Sequence, residues 1–461
     1  MNANNTVSKE TREHQSSLRL LSIGLALALI ASAAGQQAAS SSAQTSRVPV
    51  NSSAPPQSTP APSPANAGQT EEQPHAMPGA SPSPSPAPSP ELVPAPAGLG
   101  FVLPQLNDRE IVVTAVGDVM LGTTFPDETG ASLPPNDGAD LLAEVTPLLK
   151  RGDIVFGNLE GPLYDGEEPS PKCRGKAPGH CYAFRVPTRY GAHLKAAGFT
   201  VMGLANNHAM DFGQDGRTSS QQTLDAVGIA HTGEVGDIAH LTVKGEKVAV
   251  IAFATYPGAY NLLDLEDSLA AIRQARADAD LVIVSFHGGG EGATHQHVLQ
   301  GDEMFLGEDR GDLRQFAHAA IDAGAALVLG SGPHVVRGME IFQGKLIAYS
   351  LGNFATYGPF NLSAENGISL ILEAHLAPDG TFLSGQVYPV KQVKPGGPRL
   401  DPAMSIVPIL RDLSLEDFGS SAVAVGPRGE LQAPGVPVPE CGNAADMLDQ
   451  LIGTRTCGIY P

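Results

Sequence analysis

From about Asp108 onward, apolar runs of strand length alternate with longer stretches of helical character. This alternation is typical of an α/β domain. The predicted strands are Ile111–Val116, Ile154–Phe156, Phe199–Leu204, Val248–Ala254, Leu281–Phe286 and Ala325–Leu329. The predicted helices between them are Ala139–Lys150, Arg189–Ala197, Gly216–Val227, Leu265–Ala277 and Asp312–Ala323. After Gly330 the apolar runs follow one another without intervening helices, which predicts further sheet structure as far as Val390.

We therefore assign residues 108–395 to one α/β domain. The remaining tail, residues 396–461, is rich in Pro and Gly, and we predict an extension with a single helical stretch near Ala444–Ile452.

The first 107 residues show neither pattern. In residues 1–34, basic residues precede the apolar run Leu20–Ile30, and the small residues Ala31–Ala33 resemble a cleavage site, so we expect an export signal. The run is shorter than the ~20 residues that a spanning helix needs; retention as an uncleaved membrane anchor is the alternative. Residues 35–107 are dominated by Ala, Ser and Pro and are predicted to be a disordered linker. We expect an exported protein of the periplasm or cell surface.

Composition removes several classes of partner. The chain has 48 acidic and 28 basic residues and a formal charge of -20, which argues against nucleic acid and against an anionic membrane surface. It has no Trp, and only 5% of its residues are aromatic, so stacking on sugars or on single-stranded bases is disfavoured.

The four cysteines form two close pairs, Cys173 with Cys181 and Cys441 with Cys457. In an exported chain such pairs predict local disulfides, although four cysteines allow three connectivities. A zinc site is the weaker alternative, because neither pair has CxxC spacing.

The chain is organised around the stretch Leu204–Gly213, in which an apolar run ends in a cluster of polar side chains. Four other predicted strands end in the same way. The polar residues concerned are Asp118, Asn158, Glu160, Asn207, His208, Asp211, His287, Glu291 and His334. Ligands bind at the carboxyl ends of strands in an open α/β sheet, but Asn and Asp are also ordinary turn residues.

A mixture of carboxylate, amide and imidazole groups suits Mn, Zn or Fe better than Ca or Mg, which prefer oxygen ligands. The clusters together therefore predict a divalent metal site that holds one or two ions. The alternative is a coincidence of polar residues in loops.

The motifs that carry these residues resemble those of a known family. They are GDVMLG, GNLEGPL, NNHAMDFG, GPHVVRG and YSLGNF, in this order. They resemble the bacterial CapA family, named for its part in making poly-γ-glutamate capsules, which is a branch of the calcineurin-like metallophosphoesterases. The resemblance covers roughly Val112 to Tyr388. It implies an α/β fold of the four-layer αββα sandwich type, with a metal site at the strand ends.

The resemblance also implies a role for each polar cluster. Metal ligands are matched by Asp118, Glu160, Asn207, His287 and His334, with Glu160 at the bridging position. His208 matches the histidine that assists the leaving group, and Asp211, three residues away, would steer its imidazole ring. The substrate pocket is predicted to be lined by Asn158, Glu291 and Asn353.

Two positions depart from the wider superfamily. Met120 stands where a histidine follows the first aspartate, and Ser331 and Gly332 leave only one histidine in the last motif. Three alternatives follow: the site holds one metal, it recruits His295 or His297 from the following loop, or it binds none.

The leading hypothesis is a metal-dependent hydrolase of the cell envelope that cleaves a phosphoester or a γ-glutamyl amide of a capsule-type anionic polymer. The rival is a non-catalytic accessory protein that binds polymer, or capsule-assembly membrane proteins, during assembly or export. A third alternative is a domain that keeps the scaffold and has lost the chemistry.

Overall fold

The computed structural model describes residues 109–126, 132–176 and 180–438. The predicted signal segment, the linker, the helical stretch near Ala444 and the Cys441/Cys457 pair lie outside these residues. Within the part of the chain that the structure describes, no helix is both long enough and apolar enough to cross a membrane.

The strands are, in chain order, β1 (Ile111–Met120), β2 (Ile154–Leu159), β3 (Val201–Gly203), β4 (Ala230–Thr232), β5 (Ala239–Val243), β6 (Glu246–Ala254), β7 (Tyr260–Asn261), β8 (Leu281–His287), β9 (Met304–Phe305), β10 (Glu308–Asp309), β11 (Leu327–Ser331), β12 (Met339–Phe342), β13 (Lys345–Ala348), β14 (Asn353–Thr356), β15 (Ile368–Leu376), β16 (Phe382–Gln392), β17 (Pro398–Leu400), β18 (Ala424–Val425) and β19 (Glu430–Gln432). The described α-helices are α1 (Thr146–Leu149), α2 (Gly191–Ala197), α3 (Gly213–Val227), α4 (Leu265–Asp278), α5 (Leu313–Asp322) and α6 (Ile406–Phe418).

The strands form two large sheets. The first has the order β18-β19-β16-β15-β1-β2-β3-β4, with β14 beside β1 and β17 beside β16. Its strands β1 to β4 run parallel, whereas β15 and β16 are antiparallel. The second sheet has the order β12-β13-β11-β8-β6-β5, and its central strands β13, β11, β8 and β6 are parallel. The parallel strands of each sheet therefore end at a common edge.

The two sheets pack face to face because both present apolar side chains to a shared core. Side chains of the first sheet in this core include Ile111, Val113, Phe156 and Leu372, and those of the second include Val248, Val250, Ile283 and Leu329. Alternate residues of the same strands point to the opposite face of each sheet.

Those outward faces are covered by helices. Leu149 of α1, Leu194 of α2 and Leu224 of α3 pack with the outward residues of the first sheet. Ile272 of α4 and Phe316 of α5 do the same for the second sheet. The layers are therefore helix, sheet, sheet and helix, which confirms the four-layer αββα fold.

Two elements differ from the sequence prediction. The predicted helix Ala139–Lys150 is mostly a series of turns, and only α1 at its end is helical. Pro147 lies in the last third of this segment, and a proline removes the backbone donor that a continuous helix needs there and clashes with the turn before it. It is tolerated in α1 because it falls in the first turn.

The segment after residue 395 joins the first sheet through β17 and β19, which both pair with β16. It also contains α6, a helix that the Pro/Gly-rich composition concealed. Ile406, Val407 and Leu410 of this helix are buried in the core between the sheets. Pro408 falls in its first turn, where a missing N–H costs little.

Candidate metal centre

The parallel strands of both sheets deliver the polar clusters to one place. Asp118 on β1 lies opposite Asn158 on β2 and Asn353 on β14, and His287 on β8 lies opposite Ser331 on β11. Except for Asn353, which begins β14, these register positions lie at or near the carboxyl ends of their strands, where the side chains converge.

A close backbone approach fixes the start of the site. The backbone N–H of Asp118 donates to the carbonyl of Gly352 at 2.9 Å. A Cβ atom at Gly117 would lie 1.9 Å from that same carbonyl oxygen, so only glycine allows this approach. The Gly-Asp pair of the first motif therefore has a steric as well as a chemical basis.

Three ligand-type side chains meet at this edge. Asp118, Glu160 and His334 each offer one ligand atom, and these atoms lie within 4.8 Å of one another. Glu160 Oε1 is also 3.8 Å from His287 Nε2 and 3.9 Å from His334 Nε2. Two ligands of one Zn-like ion, each at about 2.0–2.2 Å, can be no more than about 4.4 Å apart. The 3.8 and 3.9 Å distances from Glu160 Oε1 to the two imidazole nitrogens fit a shared ion.

Glu160 is the clearest sign that a cation belongs here. It is fully buried, and neither of its carboxylate oxygens has a hydrogen-bond partner among the described residues. Burial raises the pKa of Glu160 well above its usual value, and the neighbouring Asp118 raises it further. Burying a carboxylate without donors costs several kcal/mol or more, which a divalent cation between the ligands would offset. The residues present fit a metal.

His287 is arranged as a neutral ligand. The Ser331 hydroxyl donates to the Phe286 carbonyl at 3.1 Å, and its oxygen lies 3.2 Å from His287 Nδ1. The amide nitrogen of Asn158 lies 3.3 Å from the same Nδ1, whereas Nε2 is buried and has no partner in the described part of the chain. Burial lowers the pKa of His287 well below its usual value, so the ring is neutral. Ser331, at a position noted above for its lack of a histidine, thus orients a ligand.

His334 is held by its backbone and by two oxygens. Its φ of 59° lies in the left-handed region, a conformation that costs a non-glycine residue of the order of 1–3 kcal/mol. Its Nδ1 is 2.9 Å from Asp118 Oδ2 and 3.1 Å from Asn353 Oδ1. Burial lowers the pKa of His334, but Glu160 and Asp118 together outweigh it and raise the pKa to about 10. Metal binding would therefore release a proton.

His208 and Asp211 form a separate pair beside this cluster. His208 Nδ1 lies 2.7 Å from Asp211 Oδ2, and both side chains are buried. The contact forms within the turns that precede α3, not within the helix itself. Burial lowers the pKa of His208, an effect that Asp211 opposes. Because the Nδ1–H group of His208 donates a hydrogen bond to Asp211, Nε2 is the nitrogen that can exchange protons.

Asparagine side chains connect the cluster to this pair. Asn158 donates to Asp118 at 2.8 Å and accepts from Asn206 at 3.0 Å. Asn206 in turn accepts from the backbone N–H of His208. The neighbouring Asn207 has a buried Oδ1 atom with no hydrogen-bond partner among residues that the structure describes. An oxygen that binds a metal ion is expected to lack a donor in this way.

The remaining predicted residues are spread more widely. Glu291 accepts from Arg310 at 2.9 Å, and its other oxygen is 4.0 Å from His334 Nε2, at the rim of the cluster. His297 instead pairs with Asp417, and the ring of His295 packs against Phe305. The group of close ligands found in the described residues includes neither of these two histidines.

Three contributing residues were not predicted for the site: Asn206, Ser331 and Lys172. Asn206 was visible as the first of a pair of asparagines, but nothing in the sequence says which of the pair faces inward. The sequence indicates only that no histidine stands at Ser331. The function of this serine depends on its register with His287 across two strands, which is not a local signal. Lys172 reaches the site from a distant loop.

All the candidate residues fall within one family match. The family model described as "Bacterial capsule synthesis protein PGA_cap" matches residues 112–357, which is more than half of the 461 residues. This chain belongs to that family. The membership confirms the resemblance to CapA that the motifs indicated.

Two curated relatives carry this name. The chain is 29% identical over 295 residues to the PGA biosynthesis protein CapA of Bacillus subtilis (strain 168), a match that covers 60% of this chain and 70% of the relative. It is 28% identical over 314 residues to the capsule biosynthesis protein CapA of Bacillus anthracis, covering 64% and 70%.

Among solved structures, a putative 5'-nucleotidase from Staphylococcus aureus overlaps with a TM-score of 0.34 and 12% identity, over 74% of this chain and 58% of the other. The chain thus spans less than two thirds of that protein.

Proposed function

We propose that this member of the PGA_cap family is a divalent-metal-dependent hydrolase that acts in the synthesis or processing of a capsule-type polymer. One observation carries the proposal. Glu160 is a buried carboxylate without donors among the described residues, and its Oε1 lies within 3.9 Å of two imidazole nitrogens. A protein that buried this group for stability alone would have paired it.

The residues that would hold the metal are Asp118, Glu160, Asn207, His287 and His334. Their mixture of oxygen and nitrogen atoms favours Mn, Zn or Fe. When bound, such an ion lowers the pKa of a coordinated water and polarises the phosphoryl or acyl oxygen of the substrate. These five residues would supply enough ligands for one ion or for two.

His208 supplies the proton chemistry. Asp211 holds the Nδ1 proton of His208 and stabilises the imidazolium that forms when Nε2 is protonated. Nε2 can then give its proton to the leaving oxygen or nitrogen as the bond to phosphorus or carbon breaks. The ring of Phe184, with its centroid 4.5 Å from that of His208, covers the pair and keeps water from its face.

Membership of the PGA_cap family and the export-type segment in residues 1–34 support a proposal for the polymer and the compartment. A capsule-type anionic polymer, cleaved at a phosphoester or a γ-glutamyl amide, is the proposed substrate, and membrane proteins of capsule assembly are proposed partners. The formal charge of -20 disfavours direct contact with a polyanion, so cations would have to bridge the two. We propose that the protein is exported.

One observation favours a second function. Met120 and Ser331 add no ligand at positions where the superfamily has histidines, which is compatible with an accessory role in which a bound ion organises the site without turnover. A relative from Mycobacterium tuberculosis (strain ATCC 25618 / H37Rv), 29% identical over 205 residues, is named a probable polyglutamine synthesis accessory protein.

Metal content and turnover separate these functions. The full chain is purified without chelators, and its metal is quantified by elemental analysis. Hydrolysis of bis-(p-nitrophenyl) phosphate and of γ-glutamyl-p-nitroanilide is then measured with Mn, Zn or Fe added. We expect one or two ions per chain and metal-dependent turnover of one substrate. A metal-bound protein that turns over neither substrate supports the accessory role, and a protein that binds no metal contradicts both.

A further inference from the structure

The two described ends of a disulfide-closed segment contact the His208–Asp211 pair. This segment, Ser170–Phe184, lies between β2 and α2, and we call it the clamp segment; its residues 170–176 and 180–184 are described. Cys173 and Cys181 are disulfide-bonded, as the sequence predicted. The bond therefore ties together the two ends of one loop, and each end contacts the pair.

The end before the disulfide and the end after it both hold Asp211. The hydroxyl of Ser170 donates to the backbone carbonyl of Asp211 at 2.6 Å. The backbone N–H of Phe184 donates to Asp211 Oδ2 at 2.7 Å, the same oxygen that faces His208. Both contacts are buried.

Lys172, next to the disulfide, completes this arrangement. Its Nζ donates to Asp211 Oδ1 at 2.6 Å and to the backbone carbonyl of Asn207 at 3.0 Å. The ammonium therefore binds the turn on both sides of His208. It also lies 3.2 Å from His208 Nδ1, but that nitrogen donates its own proton to Asp211, so the ammonium cannot donate to it.

We propose that Lys172 is a positioning residue for His208, and that the Cys173–Cys181 disulfide keeps it in place. Lys172 engages one carboxylate oxygen of Asp211, which directs the other oxygen to His208 Nδ1. It fixes the backbone of Asn207 at the same time, so the proton-transfer ring and a candidate metal ligand keep one relative placement. Without the ammonium, Asp211 Oδ1 loses its donor and, among the described residues, only the backbone N–H of Phe184 and His208 itself hold the carboxylate, so the ring of His208 is less firmly oriented.

The expected effect of Lys172 on turnover rests on the proposed function, because it requires His208 to be the proton donor. The positioning of the His208 ring by Lys172 does not depend on turnover. A lysine that only balances the buried charge of Asp211 would change stability and leave the ring of His208 where it is. The state of that ring is therefore the deciding measurement.

The test compares four variants of the full chain: Lys172→Met, Lys172→Arg, Cys173→Ser with Cys181→Ser, and Lys176→Met. Lys176 is the matched control, an exposed lysine on the same segment. The imidazole of His208 is followed by ¹⁵N NMR of the side chains, assigned through its loss in His208→Gln. Metal content, melting temperature and turnover of an activated and an unactivated ester are measured in parallel.

We expect the parent to show a sharp Nδ1–H signal for the bond to Asp211. Lys172→Met should lose or broaden it and slow hydrolysis of the unactivated ester by about 10–100-fold, with a smaller loss on the activated ester, while metal content is kept. Lys172→Arg should restore part of both. The double serine variant, and the parent treated with a phosphine reductant, should move in the same direction. Lys176→Met should match the parent.

A Lys172→Met variant that melts lower and keeps the parent His208 signal overturns the positioning role. Should the signal survive in the double serine variant, the disulfide has no part in it. If Lys172→Met does not fold, the arginine variant and the reduced parent decide by the same signal. A parent that hydrolyses neither ester contradicts the proposed function, and the NMR comparison still decides the inference.

Discussion

Glu160 and Glu373 are both buried glutamates with histidine neighbours. Their surroundings shift the pKa values of the two side chains in opposite directions. Glu373, on β15, accepts from Arg151 at 2.7 Å, lies 3.1 Å from His375 Nε2, and accepts from Tyr388 at 3.2 Å. Glu160, just after β2, has no donor among the described residues. One carboxylate has a full set of donors and the other has none.

The pKa values follow this difference. Burial raises the pKa of Glu373, but hydrogen bonds from His375 and Arg151 outweigh it and lower the pKa to about 2. The pKa of Glu160 is instead raised well above its usual value, because burial and Asp118 act together. A carboxylate with donors stabilises the fold, whereas one without them costs stability until a cation arrives. The contrast separates a structural cluster from a candidate functional one.

The largest expected effect is the loss of metal and turnover when Glu160 is changed. Glu160→Gln should lose metal and turnover together, by more than the roughly 10²-fold that an outer partner of a metal contributes. Elemental analysis and a rate assay on the same preparation measure both. Glu373→Gln, a buried glutamate changed in the same way, should keep metal and rate. Full metal content in Glu160→Gln would show that this residue is not a ligand.

A second experiment separates proton transfer from metal binding. His208→Ala should keep its metal and lose turnover by roughly 10²–10⁴-fold on an ester with a poor leaving group, and by less on an activated ester. His231→Ala is the matched control, since His231 pairs with Asp237 at 2.8 Å outside the site. Equal losses on both esters would exclude His208 as the proton donor.

The third prediction concerns the sign of stability effects in the metal-free protein. Glu160→Gln should raise the free energy of unfolding by about 1–3 kcal/mol, because it removes an unpaired buried carboxylate. Glu373→Gln should lower it, because the amide removes the negative charge beside Arg151 and keeps only one of the two acceptor oxygens that Arg151 and His375 share. Urea unfolding in chelator measures both, and added Mn should stabilise the parent but not Glu160→Gln. Changes of the same sign in both variants would refute the contrast.

The fourth prediction concerns the pH dependence of stability. The folded pKa of Glu373, about 2 instead of the usual 4.5, corresponds to about 3 kcal/mol of stability. This stability is present above pH ~4.5 and is lost as pH falls toward 2. Burial lowers the pKa of His375, but Glu373 and Glu110 outweigh it and raise the pKa. The stability that His375 contributes is therefore lost as pH rises through its raised folded pKa. Unfolding between pH 2 and 5 should be less pH-dependent in Glu373→Gln, and an unchanged slope would contradict this.

Much of the fold could be predicted from local pattern. The alternation of strands and helices was visible because each strand is an apolar run that ends at a polar turn. The failures came where composition conflicts with tertiary context. Pro147 confines the predicted helix Ala139–Lys150 to the short α1, in whose first turn it lies, and α6 formed in a Pro-containing segment because its apolar face is buried between the sheets.

The candidate site divides in the same way. The motifs by themselves identified Asp118, Glu160, His208 and His334 as polar residues after strands, since that signal is local. Their family, too, follows from the motifs.

Only the tertiary structure decided how these residues are paired. Within residues 109–126, 132–176 and 180–438, a donor is present for Glu373 and absent for Glu160, because different side chains reach each carboxylate from other strands. Sequence does not record such distances. Ser331 became the partner of His287 through strand register, and Lys172 reached Asp211 through a loop closed by a disulfide. Local pattern specifies which chemical groups are available, whereas long-range packing determines which of them are satisfied and which are left to bind a ligand.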